Sequence, residues 1–209
     1  EWKRPIYFAV TIGSDYHLGL DPYLELTGLA YRITPERSKD GRPRVNTEVM
    51  YDNMLHKFKY GNMNVPCIYI DENTMRMCRT HRMMFVELIE ALYNEGKHDK
   101  CLEVLDFAEQ MLPGYNIPYD YTSATMAAYY YELGEMEKGN AIMSKVADTC
   151  AEYLAWGASL PKEQRSSSQS TLGQQMAILG YVLQNLERFE QKELFNYYYD
   201  IYVQYASVR

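Results

Sequence analysis

Two hydrophobic periods divide the chain. Residues 5–12 read Pro-Ile-Tyr-Phe-Ala-Val-Thr-Ile, with Ile6, Phe8, Val10 and Ile12 in alternation, which predicts a strand ended by Gly13-Ser14-Asp15. Asp21-Pro22 offers an N-cap and a first-turn proline, so a short helix is expected over Pro22–Leu26, followed by a second strand over Gly28–Thr34. A strand–helix–strand order of this length is compatible with a parallel β-α-β unit. Glu36–Arg44 is charged and holds Gly41 and Pro43, as expected of a solvated loop. Asn46 or Thr47 should cap a helix carrying Val49, Met50, Met54, Leu55 and Phe58. Val65–Ile70 is extended, and Asp71 caps a long helix reaching about Asn94, with Gly96 as its stop.

From Asp71 onward the period is 3.6. Phe85, Leu88, Ile89 and Leu92 fall at i, i+3, i+4 and i+7, and a short turn at Gly96–Asp99 leads to a helix carrying Leu102, Leu105, Ala108 and Met111. A second pair follows: Tyr119–Leu133, a turn at Gly134-Glu135, and a helix with Ala141, Ile142, Val146 and Ala147. Lys162–Ser170 is polar and reads as a loop. A third pair carries Met176, Leu179, Val182 and Leu183, then Phe195, Tyr198, Tyr202 and Tyr205. The expected fold is mainly α, a helical-hairpin array over 71–209 with a small N-terminal α/β unit over 1–70 that includes one following helix.

Residues 82–113 resemble a tetratricopeptide repeat. Phe85, Leu88 and Leu92 take its large positions, Cys101 the small position where the helices cross, Leu105 and Ala108 line the second helix, and Pro113 closes it. A second register from Asp120 gives Met126, Ala127, Tyr130, Gly139, Met143 and Val146, offset by 38 residues. The third pair is degenerate and lacks the turn glycine. An unrelated helical bundle is the alternative.

Residues 2–9 (Trp-Lys-Arg-Pro-Ile-Tyr-Phe-Ala), Gly28–Arg32, Met50–Met54, Phe58–Asn62 and Tyr69–Asn73 resemble a Bacteroidetes family of multi-pass membrane proteins of unknown function. That family is similar to protein O-mannosyltransferases. The resemblance implies a soluble C-terminal region facing the periplasm, carried by a membrane protein whose spans and acidic catalytic loop lie upstream. It therefore implies no catalytic residue in this chain. The opening Glu1-Trp2-Lys3-Arg4, without an initiator methionine, also reads as a piece of a longer protein.

Charge changes the picture in one respect. With 21 Lys and Arg against 28 Asp and Glu, the net charge is −7, which argues against sequence-independent nucleic-acid binding. No apolar run approaches a membrane span of about 18 residues, so direct insertion of this segment is not expected. Cys67, Cys78, Cys101 and Cys150 form no Cys-x-x-Cys pair and read as free thiols, mostly buried.

Candidate chemistry is sparse. Ser14, Asp15 and His17 are close in sequence, but a catalytic triad is assembled from separate loops, so a structural loop is the better reading. Gly157-Ala158-Ser159-Leu160-Pro161 departs from the nucleophile elbow at its last position. Cys78 and His81, three apart on a helix, would need His56 or Cys67 to complete a metal site, and Asp71 with Glu72 is better explained by capping. Gly13 and Gly19 do not form a dinucleotide loop. No cofactor, metal or catalytic residue is expected.

Tyrosine is the remaining signal, with 21 in 209 residues. In the repeat registers the concave positions are Met83, Val86, Glu90, Tyr93 and Asn94, then Tyr121, Ala124, Ala128, Tyr131 and Glu132. An aromatic groove there, with Tyr93, Tyr121 and Tyr131 as anchors beside Met83, Glu90, Asn94 and Ala128, would take a peptide, a glycan or a protein partner; the alternative is that the third hairpin or the 162–170 loop folds back and fills it, leaving these tyrosines as packing. The leading expectation is a non-catalytic periplasmic interaction module of a glycosyltransferase-like membrane protein, in contact with its own membrane domain. Two alternatives stand beside it. One is an enzyme with its site at the edge of the α/β unit, which needs a deep pocket and a perturbed carboxylate. The other is a structural cap on the membrane domain, which needs an exposed apolar patch within residues 1–60.

Overall fold

A computed structural model of the chain describes residues 4–206; Trp2 and Lys3 of the first resembling stretch and the opening Glu1 lie outside the described residues. The fold is mainly α with a small N-terminal sheet. Two compact units divide at Pro118/Tyr119. The first helical hairpin belongs to the same unit as the sheet, and its long helix packs on the short helix and last strand before it.

The first unit opens with four short strands, β1 (Tyr7–Ala9), β2 (Leu24–Leu26), β3 (Ala30–Ile33) and β4 (Arg44–Val45), in the order β1-β3-β2-β4. β3 is antiparallel to both β1 and β2, and β2 is parallel to β4. The expected parallel β-α-β unit is therefore corrected to an antiparallel one. Proline starts a single 3-10 turn at Asp21–Tyr23, but Leu24 and Leu26 are buried with Glu25 between them, and this period-2 burial makes a strand where a helix was expected. The β2–β3 turn needs Gly28: its φ is +138°, and a β-carbon there would lie 2.9 Å from the Phe58 ring.

Register sorts the sheet into two faces. Phe8 pairs with Tyr31 and Tyr31 with Leu26, so these side chains share the face turned to the core. Tyr7, Arg32, Glu25 and Arg44 form a row across the four strands on the other face.

Helix α1 (Thr47–Asp52) is capped by Asn46, whose side chain accepts from the Val49 N–H, and runs into a π-helical turn at Asn53–Lys57. Helix α2 (Glu72–Asn94) starts at Asp71, which accepts from the Asn73 and Thr74 N–H groups. It pairs with α3 (His98–Met111) over a core of Phe85, Leu88, Ile89, Leu92, Cys101, Val104 and Leu105. The guanidinium of Arg82 is buried in this hairpin and donates to the carbonyls of Leu112, Ile117 and Pro118 at 2.8–3.1 Å. The connection after α3 is held in place this way.

The second unit holds α4 (Tyr121–Glu132), α5 (Met136–Ser159), α6 (Lys162–Ser167), α7 (Gln169–Arg188) and α8 (Lys192–Ala206). Residues 162–170, expected as a loop, are instead helical: α6 and the first residues of α7. Arg165 explains the difference, since its guanidinium donates to Ala158 O and Leu160 O and so satisfies carbonyls at the end of α5.

One turn recurs three times. Glu95, Gly96 and Lys97 N–H bond to Ala91, Tyr93 and Leu92 O; Leu133, Gly134 and Glu135 N–H bond to Tyr129, Tyr131 and Tyr130 O; Phe189, Glu190 and Gln191 N–H bond to Asn185, Glu187 and Leu186 O. The middle residue is left-handed each time, with φ of 72°, 85° and 58°. Glu190 does in the third turn what glycine does in the other two.

Candidate functional site

The concave repeat positions meet different fates. Met83, Glu90 and Asn94 are exposed on α2, and Tyr93, half-buried, stacks on His98 at 5.0 Å. On α4, Tyr121 is half exposed and lies 4.9 Å from the Tyr181 ring, while Ala128 is half-buried and Ala124 is buried. Tyr131 is not a groove anchor: it is 1% exposed, its ring lies 5.0 Å from Phe189, and its hydroxyl meets Asn140 at 2.7 Å. Gly139 gives room for that ring, since a β-carbon there would overlap it. The third hairpin thus supplies Phe189 and Tyr181 to the α4 face and occupies part of what the repeat pattern offered to a ligand.

The segment between β1 and β2 is held by a buried histidine. His17 ends a 3-10 turn at Ser14–His17, and its Nδ1 meets Asp21 Oδ1 at 2.8 Å. Its ring lies between Phe8 at 5.5 Å and Tyr31 at 5.6 Å, and Nε2 is buried with no hydrogen-bond partner among the described residues. Leu18 and Gly19, with φ of 55° and 76°, turn the chain back toward Asp21. With His17 turned inward, its neighbours point out: Tyr16 is 72% and Leu18 82% exposed. Ile6, Tyr7 and Ile12 are exposed as well, so residues 6–18 carry several large apolar side chains in solvent.

The other candidates resolve into structure. Ser14 and Asp15 are exposed and His17 pairs with Asp21, so the three do not converge. Cys78 lies against Met63 Sδ at 3.2 Å, His81 Nδ1 against Met77 O at 2.8 Å, and no group of three or more metal-ligating side chains occurs among the described residues. Asp71 is held below the usual carboxylate range, first by the Thr74 hydroxyl and then by backbone N–H groups, as befits a cap. Gly157 sits in α5 against Leu172, and Ser159 donates to Trp156 O.

One carboxylate is shifted upward: desolvation by its surroundings, then Glu90, raises Glu87. Burial, then Glu87 and Asp21, raises the Tyr31 hydroxyl. An open depression in the first unit lies elsewhere, along α3, lined by Asp99, Leu102, Glu103, Asp106, Phe107 and Gln110. A perturbed carboxylate and a pocket are therefore both present but not together. Among the cysteines, Cys67 is exposed and Cys78, Cys101 and Cys150 are buried, all free.

Sequence reasoning missed Arg82 and the outward Tyr16 and Leu18. A charged residue at a helix position flanked by core residues (Cys78, Phe85, Ile89) was the available signal for Arg82.

Residues 1–53 match the family described as TMEM260-associated domain 2, which fits a TMEM260-like membrane-protein family. The matched stretch contains the whole sheet, the His17 turn and these exposed apolar side chains. No curated protein and no solved structure matches the chain. No helix among the described residues is long and apolar enough to cross a membrane.

Proposed function

We propose that this chain is a non-catalytic docking module of a larger glycosyltransferase-like membrane protein, working on the periplasmic side and attached to the membrane-embedded remainder through its N-terminal sheet unit. The observation that carries this reading is the exposure of Ile6, Tyr7, Ile12, Tyr16 and Leu18, within the residues that match the TMEM260-associated domain. A fold that turns a histidine inward and a leucine outward gives up apolar burial of about 25 cal/mol per Å². Such an arrangement is reasonable where a second surface covers the leucine. The helical hairpins are read as tetratricopeptide-like. In support, the offset of 38 places Cys101 on Gly139 and one turn on the next. Their role here is to make peptide, glycan or protein contacts.

The test is accessibility in the intact membrane protein. Leu18→Cys, in a Cys67→Ser background that removes the exposed thiol, is labelled with a membrane-impermeant maleimide. Docking predicts slow labelling in the intact protein and fast labelling in the isolated chain. Equal rates overturn it. A second reading, a glycan or peptide site on α4 and α7, is favoured by the exposed Tyr121 beside the half-buried Tyr181. Tyr121→Ala should then weaken acceptor binding while leaving thermal unfolding nearly unchanged.

A further inference from the structure

Four segments gather at one end of the sheet. Ile33 N–H bonds to Ile6 O, Thr34 N–H to Tyr23 O, and Ser38 N–H to Pro22 O. This brings residues 4–6, 22–23 and 33–38 side by side, and the Leu18 turn feeds into Asp21–Tyr23 at the same end. The exposed apolar groups are Ile6 at that end, Leu18 on the turn that feeds into it, and Tyr16 two residues before Leu18. The exposed cations are Arg4, Arg37 and Lys39, and none of them makes an ion pair among the described residues. The acids on these segments are Asp15, Asp21, Glu36 and Asp40; Asp21 is engaged by His17 at 2.8 Å and Glu36 by Arg44 at 3.0 Å.

Charge along the chain is uneven in the same sense. Residues 1–45 carry seven basic and six acidic side chains, whereas the remainder carries fourteen basic and twenty-two acidic. Approach to an anionic surface is repelled in most orientations and tolerated with this end leading.

We infer that this end of the sheet rests on an anionic phospholipid surface, with Ile6, Tyr16 and Leu18 at headgroup depth and Arg4, Arg37 and Lys39 on lipid phosphates. The inference rests on the docking reading and names the occupant of the docked surface. Lipid is favoured over a protein face by the mixture itself. The core of a protein interface is depleted in charge, and lysine in particular is scarce there. A headgroup layer accommodates tyrosine and aliphatic tips beside cations whose stems lie along it.

Each basic residue near an anionic leaflet contributes about fivefold in partitioning, so three amount to roughly 100-fold. The test measures partitioning of the whole chain into vesicles of phosphatidylglycerol with phosphatidylcholine, against phosphatidylcholine alone. Expected are binding to the anionic vesicles only, weakening with salt, a loss of roughly 100-fold in Arg4→Gln/Arg37→Gln/Lys39→Gln, and a clear loss in Tyr16→Ser/Leu18→Ser. Lys59→Gln/Arg79→Gln, which neutralises exposed cations elsewhere in the first unit, should bind as the parent does. Circular dichroism of each variant separates lost binding from lost folding. No binding to anionic vesicles, equal binding to neutral ones, or binding indifferent to the triple change overturns the lipid assignment. If vesicles fail while Leu18→Cys remains protected in the intact protein, the occupant is protein and the docking reading stands. If both fail, docking falls too.

Discussion

Arg82 is a charged side chain in the middle of a hydrophobic hairpin, and its removal should be among the most damaging single changes in the first unit. It is 1% exposed and donates to Leu112 O at 3.1 Å, Ile117 O at 2.8 Å and Pro118 O at 2.9 Å. Arg82→Met keeps the length of the stem and removes the fork. Replacing a buried ionic group by an apolar one is often neutral where every partner can be replaced as well. Here the acceptors are backbone carbonyls and stay behind. The bonds to Leu112 and Ile117 are buried, and each stranded acceptor costs about 1–3 kcal/mol. Release of the guanidinium from its desolvated site offsets part of this, leaving an expected loss of about 2–4 kcal/mol. For a chain of this length that is a fall of roughly 5–15 °C in Tm. Arg82→Lys should fall between, because a single ammonium cannot reproduce the planar fork. Thermal unfolding followed by circular dichroism reads the global effect, and amide exchange across residues 112–118 reads the local one. A Tm within 2 °C of the parent for Arg82→Met, with unchanged exchange at Ile117, would refute the reasoning.

Three further outcomes are expected. Cys101→Leu should cost about 1–3 kcal/mol, because its buried Sγ sits 3.6 Å from Ile89 O where the two helices cross; unchanged denaturant unfolding counts against that packing. Glu190→Gly should stabilise the second unit by about 0.5–1 kcal/mol by relieving a left-handed φ of 58°, while Gly134→Ala at φ 85° should destabilise it by about 1 kcal/mol, both read by chemical denaturation. One thiol, Cys67, should react with a disulfide reagent at neutral pH and four in denaturant, since burial pushes Cys101 up to about 11 and Cys150 up to about 12, and raises Cys78 as well.

Helices α2 and α4 were legible because each carries its own start and stop. Asp71 and Asp120 cap, Gly96 and Gly134 end, and the apolar stripe between them has one period. The sheet was less legible because its strands are two to four residues long, too short for a period to show, and their pairing depends on partners distant in sequence. Proline at residue 22 signalled a turn correctly, but the Leu-Glu-Leu that follows fits a helix and a strand alike. The buried His17 between exposed Tyr16 and Leu18 inverts the usual preference of these residue types, and no hydrophobicity pattern yields that inversion. On α4 the pattern named the right helix and left two readings of its face, an open groove or one filled by the third hairpin. Tyr131 is covered by Phe189 and Tyr121 lies against Tyr181, and both covering rings come from the pair lacking the turn glycine.

That last point bears on how the hairpins divide their work. The three turns are bonded alike, so the backbone scheme is repeated, yet the side chains at matching positions are not. Cys101 and Gly139 both leave room at a helix crossing, but only at Gly139 does a neighbouring tyrosine ring fill that room. Tyr93 and Tyr131 hold the same place in the repeat, the first half-buried on His98 and the second closed under Phe189. A shared scaffold with different local closure gives each unit its own surface chemistry. Both units carry exposed aromatic and apolar groups: Ile6, Tyr16 and Leu18 lie before β2 in the first, and Tyr121 on α4, Trp156 on α5 and Tyr197 on α8 lie in the second. Under the docking reading the first surface is spent on the membrane side, which leaves the α4–α7 tyrosines as the place to look for an acceptor.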